Sequence, residues 1–570
     1  MEKMTTLKKA TSQVIAALRA HLPEDVSVSE TDLSKPPQSE MGDLSFPCFG
    51  AAKSQKGNPA AIAKDIAAKI APSGLIGEVR ALGPYVNFFF HKQAFATNVL
   101  EDVFGQARDF GHAEESGQTV LIEYGSPNTH KEIHVGHLRN FALGLAVERM
   151  LRAAGSKVTA VNYIGDVGAH VAKWLWYFKK TGGSLADLSK IPFGKLYTEA
   201  TVAADADEDA TKPEIGAVLR ALEAHEPEWE KLWLETRDEC LRQMDVIFKE
   251  LDINFSRTYL ESEVEGPGKE LVKELLAKGI AKEGERGATI VDLAEPEDLG
   301  VFLVLKGDGN SLYSTKELAL AGLKFKEYPD TQESIHVVDN RQSLYFKQLF
   351  ATLKRLGFDK PMEHLAYDFV TLSEGAMSSR KGNIVTYEDF RDQMITMATE
   401  ETKKRRDDWD DARIHAAAWV VAEGAMKFGM LKQDNDRPIV FDMQEALSFE
   451  GFTGPYIQYA HARLSSILAK ASGETVSVCK AADDDKEYAL LRIVADLPGT
   501  VKAAAVARRP SLLAQYLFEL AQAASAFYRD VPVLSAEVAD RARRLAVTEA
   551  ARMALENGLT LLGIKAPREM

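Results

Sequence analysis

Residues 119–153 constrain the fold more than any other stretch. Thr119-Val120-Leu121-Ile122 is an apolar run that predicts a buried strand, and residues 141–153 carry apolar side chains at helical spacing before Gly155. Between them lies a polar turn from Glu123 onward. Strand, turn and helix in this order form the entrance of a parallel α/β nucleotide site, where ligands sit beyond the carboxyl ends of the strands and beside helix N-termini. The helix opens on His134-Val135-Gly136-His137. Gly136 leaves the backbone bare for a flat ring. His134 and His137 are three apart and share one helical face. Two imidazoles there can donate to phosphate oxygens as charge develops. With His130 nearby, a zinc site and a plain surface pair compete with that reading, although no Cys cluster or H-E-x-x-H elsewhere completes a zinc site.

A chain of 570 residues has room for three or four domains. Its net charge of -15 does not advertise a nucleic-acid binder, yet local basic surfaces on acidic bodies are compatible with one. Cys48, Cys240 and Cys479 are few and far apart, which argues against a disulfide framework and suits a reducing cytosol. No signal peptide and no apolar run of membrane-spanning length is expected.

In chain order, residues 5–22 predict an amphipathic helix, and Asn58-Pro59 predict the capped start of another, running to about Ile70. Gly83-Pro84 turns into an aromatic strand ending at Phe90. Residues 157–164 read as a second buried strand. Trp174, Trp176, Tyr177 and Phe178 read as core, and the charged tract 203–242 as solvated helix. Residues 302–305 and Leu312-Tyr313 read as two short strands around a turn at 306–310. Residues 335–338 form another strand, feeding a ligand-facing loop at 339–342. No Walker A sequence is present. Beyond 391 the chain reads as helical, broken by a polar loop at 471–486 that contains Asp483.

A second unusual stretch is Gly375-Ala376-Met377-Ser378-Ser379-Arg380-Lys381-Gly382-Asn383. Two hydroxyls and two adjacent cations between glycines suit a pyrophosphate leaving group, and a solvent-exposed basic turn is the plain alternative.

Taken together these stretches resemble the class I aminoacyl-tRNA synthetases. His134–His137 resembles their HIGH signature and residues 375–383 their KMSKS loop, in the right order. Ser126-Pro127-Asn128 and Lys131 resemble the arginyl-tRNA synthetase version specifically. So do Gly42-Asp43-Leu44-Ser45-Phe46 and residues 83–90 in the N-terminal part, Thr453-Gly454-Pro455-Tyr456 at the opening of an anticodon-binding domain, and the C-terminal ending. Departures are Ala376 where the loop begins with Lys, Lys316-Glu317 where Arg-Asp is common, Tyr345 for His, Glu132 for Pro, and Arg544-Leu545-Ala546-Val547 for the DALR letters.

The resemblance implies an α/β chain: an α+β N-terminal domain contacting tRNA at 1–112, a Rossmann-like parallel-sheet catalytic domain at 113–390 with a helical insertion at about 195–290, and an all-α anticodon-binding part at 391–570. It implies ATP and Mg²⁺, L-arginine, arginine tRNA and a monomer in the cytoplasm. His134, His137, Lys131, Arg380 and Lys381 are then catalytic. Gly136, Met377, Ser378 and Ser379 bind ATP; Glu123, Asn128, Tyr313, Glu317 and Gln342 bind arginine, with Gln348 an alternative to Gln342. Tyr456, Tyr459, Arg463 and Arg544 contact tRNA. A non-catalytic tRNA-binding paralogue, or a related adenylyltransferase using another amino acid, are the competing functions.

Overall fold

Five parallel strands organise the middle of the chain, in the order Met362–Tyr367, Glu333–Asp339, Thr119–Glu123, Lys157–Ile164, Arg257–Leu260. A computed structural model of the chain describes residues 4–373, 385–471, 474, 476, 480–481 and 484–570. The central strand is the earliest of the five in sequence. The chain builds outward to one side, returns, and builds to the other. Thr119–Glu123 and Glu333–Asp339 stay paired to the His336–Glu123 register, and their connections lead to opposite sides of the sheet, the topological switch point at which such sheets form a ligand crevice. The Val135–Ala153 helix packs its apolar face on this sheet. Gly144 permits that approach, because a Cβ there would lie 2.2 Å from Cγ of Tyr124.

The expected elements of the N-terminal part are present. Asn58 Oδ1 accepts from the N–H groups of Ala60 and Ala61 and starts the Pro59–Lys69 helix with proline in its first turn. The Thr6–Arg19 helix buries Ala10, Val14 and Leu18 against a three-stranded antiparallel sheet ordered Leu44–Pro47, Tyr85–Phe90, Ile76–Leu82.

Two readings need correction. Leu312-Tyr313 is not a strand. The return arm is a single bridge between Leu305 and Ser311, and Tyr313 opens the Tyr313–Glu327 helix because Thr315 Oγ1 accepts from Leu312 N at 2.9 Å and caps it. The helical insertion is also shorter than 195–290, since Arg257–Leu260 returns to the central sheet. Within it, the helices Phe193–Asp205, Glu208–Glu223 and Pro227–Glu250 are solvated on one face only. Their other faces enclose Trp174, Phe178 and Phe193 in a separate apolar cluster.

Beyond Tyr387 the described chain is helical apart from Ile439–Phe441, which pairs in parallel with Val370–Leu372. Buried Lys427 joins the parts: its ammonium donates to Glu423 Oε1 (2.7 Å), Leu251 O (2.8 Å) and Gly563 O (2.7 Å).

Gly144→Ala is expected to overpack the helix–sheet contact, costing about 1–3 kcal/mol. A thermal-unfolding midpoint equal to that of the parent chain would show that the Tyr124 contact is not the limiting fit.

Candidate active site

The turn after the central strand is built from main chain that leaves the sheet. Gly125 and Ser126 have φ of 99° and 46°, so their N–H groups point away from the ladder. Asn140 Oδ1 takes the first at 2.5 Å and Asn162 Oδ1 the second at 2.8 Å. Asn128 then crosses to Gly165, where a Cβ would stand 2.2 Å from Asn128 Oδ1.

His134 caps the signature helix, and the capping decides its tautomer. Its Nδ1 accepts from Gly136 N at 3.1 Å, while His137 Nδ1 accepts from His134 N at 3.1 Å. Burial lowers the pKa of both rings; for His137, to about 3, with His134 and Lys131 adding to the effect. Both imidazoles are therefore neutral near pH 7 and carry their proton on Nε2. Their centroids lie 3.9 Å apart. Gly136 is required for this fold-over, since a Cβ would meet His134 Cε1 at 2.9 Å.

The third histidine of the stretch does something else. His130 is fully enclosed, with ring nitrogens 2.9 Å from Thr129 Oγ1 and from Thr236 Oγ1, and it packs on Trp174 and Phe193. It is a core histidine at φ 60°, turned away from its two neighbours' task.

The chain that follows the second signature meets the first. Met377, Ser378, Ser379, Arg380 and Lys381 lie outside the described residues, but the segment directly after them is bonded to the first signature. Val135 N donates to Val385 O at 3.3 Å and Tyr387 N to Ile133 O at 2.7 Å. Beside this junction is a cavity of about 410 Å³ lined by Lys131, Glu132, Thr386 and Glu388. The Lys131 ammonium lies 5.5 Å from the Tyr197 ring, and burial followed by Lys173 lowers its pKa.

Beneath the crevice are three buried carboxylates and two lysines. Glu123 is paired with Lys324 at 2.8 Å and lies 3.6 Å from His336 Nδ1. Burial pushes its carboxyl up, but Lys324 and His336 outweigh that and pull it below the usual range. Glu261 is 3.4 Å from Lys316. Glu317, only 9% exposed, makes no ion pair among the described residues. Burial and then the Glu123 charge raise its pKa to about 8. The hydroxyls of Tyr163 and Tyr345 are buried without hydrogen-bond partners, and both phenols feel the Glu317 charge. Tyr345 packs on Phe302 and Phe346.

Tyr313, 59% exposed, and Gln342, at the start of the Ser343–Arg355 helix, stand on the lip of the crevice. Gln348, the alternative to Gln342, is engaged elsewhere: its Nε2 donates to Leu299 O and Val301 O. Sequence reading missed Tyr163, Lys324 and His336. Only Tyr163 carried a signal, as a phenol closing an apolar strand at the edge of the crevice.

Far from this site, Tyr459 and Arg463 line a cavity of about 760 Å³ with Arg406, Arg413, Arg552 and the C-terminal Met570. Arg463 also lies 4.1 Å from the Tyr528 ring. Tyr456 packs on Phe518, behind that surface. Arg544 does not line the cavity. Its Nη1 donates to Pro532 O and its Nε to Glu487, while Arg541 and Arg543 pair with Glu474 and Glu487. These three arginines are thus engaged by carboxylates and a carbonyl of the chain itself.

Comparison with known proteins agrees with this arrangement. Residues 99–443 match the family model described as tRNA synthetases class I (R), catalytic domain. Residues 457–570 match the DALR anticodon binding domain and 5–90 the arginyl tRNA synthetase N terminal domain. The arginine--tRNA ligase of Bdellovibrio bacteriovorus is 38% identical, with 96% of each chain covered. That of Treponema denticola is 34% identical over 98% of each. The solved arginyl-tRNA synthetase of Thermus thermophilus superposes with a TM-score of 0.82 at 30% identity, covering 99% of this chain and 100% of that one. The chain belongs to the arginyl-tRNA synthetase family of class I aminoacyl-tRNA synthetases.

Proposed function

We propose that the chain joins L-arginine to its tRNA in two steps, and one observation carries the reading. Glu317 is a buried carboxylate that makes no ion pair among the described residues, and its charge acts on the buried, unpartnered phenol oxygens of Tyr163 and Tyr345. A guanidinium supplies what this pocket lacks: a permanent positive charge and a planar array of N–H donors. Glu317 is its direct acceptor. Glu123, already held by Lys324, deepens the negative field from beneath and reaches the guanidinium only if Lys324 gives way. Asn128, Tyr313 and Gln342 orient the amino acid at the lip.

In the first step a carboxylate oxygen of arginine forms a bond to the α-phosphorus of ATP and pyrophosphate leaves. His134 and His137 donate from Nε2 to the α-phosphate oxygens as charge builds there. Gly136 lets the adenine approach, and Met377, Ser378 and Ser379 are further ATP-binding residues. Lys131, Arg380 and Lys381 offset the leaving charge. Among the described residues no His, Cys, Asp or Glu cluster is arranged to hold a metal ion. Mg²⁺ would be held by the ATP phosphates and would offset their charge. In the second step the terminal adenosine hydroxyl of the tRNA attacks the acyl carbon and AMP leaves.

The tRNA is read at its anticodon by the surface around Tyr459 and Arg463, with Tyr456 supporting it, and Arg544 acts through its hold on Glu487. The 1–112 part also contacts tRNA, 113–390 performs the chemistry, and 391–570 forms the helical remainder. We read the enzyme as a cytoplasmic monomer; Cys48 and Cys240 are buried free thiols, which suits a reducing compartment.

Arginine-dependent ATP–pyrophosphate exchange, with and without arginine tRNA, tests the function. Exchange driven by another amino acid would point to the related adenylyltransferase, and tRNA binding without any exchange to the non-catalytic paralogue. His137→Ala is expected to lower kcat of exchange about 10²–10³-fold with little change in KM, because a donor to developing charge is lost. Below about pH 8 the free Glu317 carboxyl is protonated and must lose its proton to accept a guanidinium. Arginine affinity should therefore rise with pH and level off above that value. Calorimetry across pH 6–9 checks this. Glu317→Gln should weaken binding about 100-fold and flatten the profile, and an unchanged profile in that variant would assign the titration to another group.

A further inference from the structure

The signature helix carries a buried guanidinium that the chemistry above does not use. Arg139, two residues beyond His137, is 1% exposed. Its hydrogen bonds among the described residues all go to main-chain carbonyls. Nη1 donates to Asp368 O at 2.6 Å and Phe369 O at 3.2 Å. Nη2 donates to Asp434 O at 3.3 Å, Asn435 O at 3.0 Å and Arg437 O at 2.9 Å. A charge buried against neutral dipoles is costly compared with an apolar side chain. What the planar fork supplies is geometry: it fixes two separate segments at once against one helix.

Both segments lead somewhere. Asp368-Phe369 starts the Val370–Leu372 strand, which runs in sequence into the second signature. Residues 434–437 precede its partner strand, Ile439–Phe441, and the two segments are bonded through Asp368 N to Asn435 O at 2.9 Å. The 434–437 loop is gripped from its other side by the C-terminal helices. Asp434 accepts from Arg509 Nε at 3.1 Å and Ser511 Oγ at 2.6 Å. Asn435 Nδ2 donates to Arg508 O at 2.8 Å. Arg508 in turn binds both oxygens of Glu333, the first residue of the strand that forms the other wall of the crevice. Asn140, the neighbour of Arg139, pegs the same helix to Val337 O at 2.7 Å and to Gly125 N. With that second peg in place, a change at Arg139 tilts the helix rather than releasing it.

We propose that Arg139 is a positioning residue for amino-acid activation. Its guanidinium sets the helix bearing His134 and His137 relative to the strand leading to the second signature. Through the 434–437 loop it ties that setting to the joint at residues 508–511 of the C-terminal helical domain. Contact made by the C-terminal helices thereby reaches the two imidazoles along a continuous set of hydrogen bonds. The readout rests on the arginine-ligase reading, so the parent chain serves as its separate control.

The test uses the full chain and two substitutions. Arg139→Lys keeps the charge, but one ammonium has three donors for five carbonyls. Arg509→Ala removes a side chain that is 44% exposed and leaves both signatures and Arg139 untouched. In tRNA-dependent exchange, kcat should fall about 100-fold for Arg139→Lys and about tenfold for Arg509→Ala. KM for arginine and ATP, and tRNA affinity by filter binding, should stay within about threefold of the parent. Adding Arg509→Ala to Arg139→Lys should lower kcat by less than about twofold more, because both act through one loop. Losses that multiply, a kcat decline that matches the fraction unfolded in a thermal melt, or an Arg509→Ala defect confined to tRNA affinity would each overturn the proposal. A parent chain silent with arginine and tRNA would instead overturn the ligase reading.

Discussion

Two asparagine side chains hold the turn on which the site is built. When the chain leaves the central strand at Gly125 and Ser126, its N–H groups lose the sheet, and a buried N–H without a partner is unfavourable by about 1–3 kcal/mol. Asn140 and Asn162 replace the ladder. Asn140 comes from the following helix and Asn162 from the neighbouring strand, so the turn is clamped by the elements it connects. Asn128, Lys131 and the helix-capping His134 all follow from where that clamp puts the chain. Gly144 completes the arrangement by letting the helix lie flat on Tyr124.

Charge in the crevice is distributed unevenly, and the imbalance is informative. Lys324 and Lys316 satisfy Glu123 and Glu261, and the third carboxylate, Glu317, makes no ion pair among the described residues. Burial and then the Glu123 charge raise its pKa against the smaller opposing pull of Lys324, as desolvation beside a like charge must. A pocket built this way favours a cation that stays charged on burial. Guanidinium does so, whereas an ammonium loses its proton more readily. The glutamate in place of the commoner aspartate lengthens the reach by one methylene, and Tyr345 in place of histidine brings a phenol oxygen to the same pocket without a charge of its own.

The ends of the chain are also drawn together. Asp43 of the N-terminal part accepts from Phe90 N and from Tyr488 of the C-terminal helices, and Asn557 donates to Ala107 O and Phe110 O. The N-terminal part is thereby seated on the same helical body that carries the Tyr459 cavity. In that body the arginines at 541, 543 and 544 pair with Glu474, Glu487 and Asp540, and the cavity-lining Arg413 and Arg552 are paired as well, with Glu569, Glu549 and Glu556.

The sequence by itself determined the strand–turn–helix at 119–153, the Asn58 cap and the aromatic strand ending at Phe90. Each of these is written in local spacing, capping chemistry or a motif, and is readable without knowing what lies opposite. Only the tertiary structure decided the rest. Tyr313 starts a helix because Thr315 caps Leu312, which neither residue type announces. Arg257–Leu260 rejoins the sheet because Lys157–Ile164 offers an edge. His130 was indistinguishable from His134 by type, yet Thr236 and Trp174, over 40 residues away, take it into the core. Which carboxylate lacks a partner, and which basic residues face a cavity, depends on side chains from Lys324 to Glu487 that meet only when the chain is folded. Charge and hydrogen-bond balance are properties of neighbours in space, and a linear sequence lists neighbours in order.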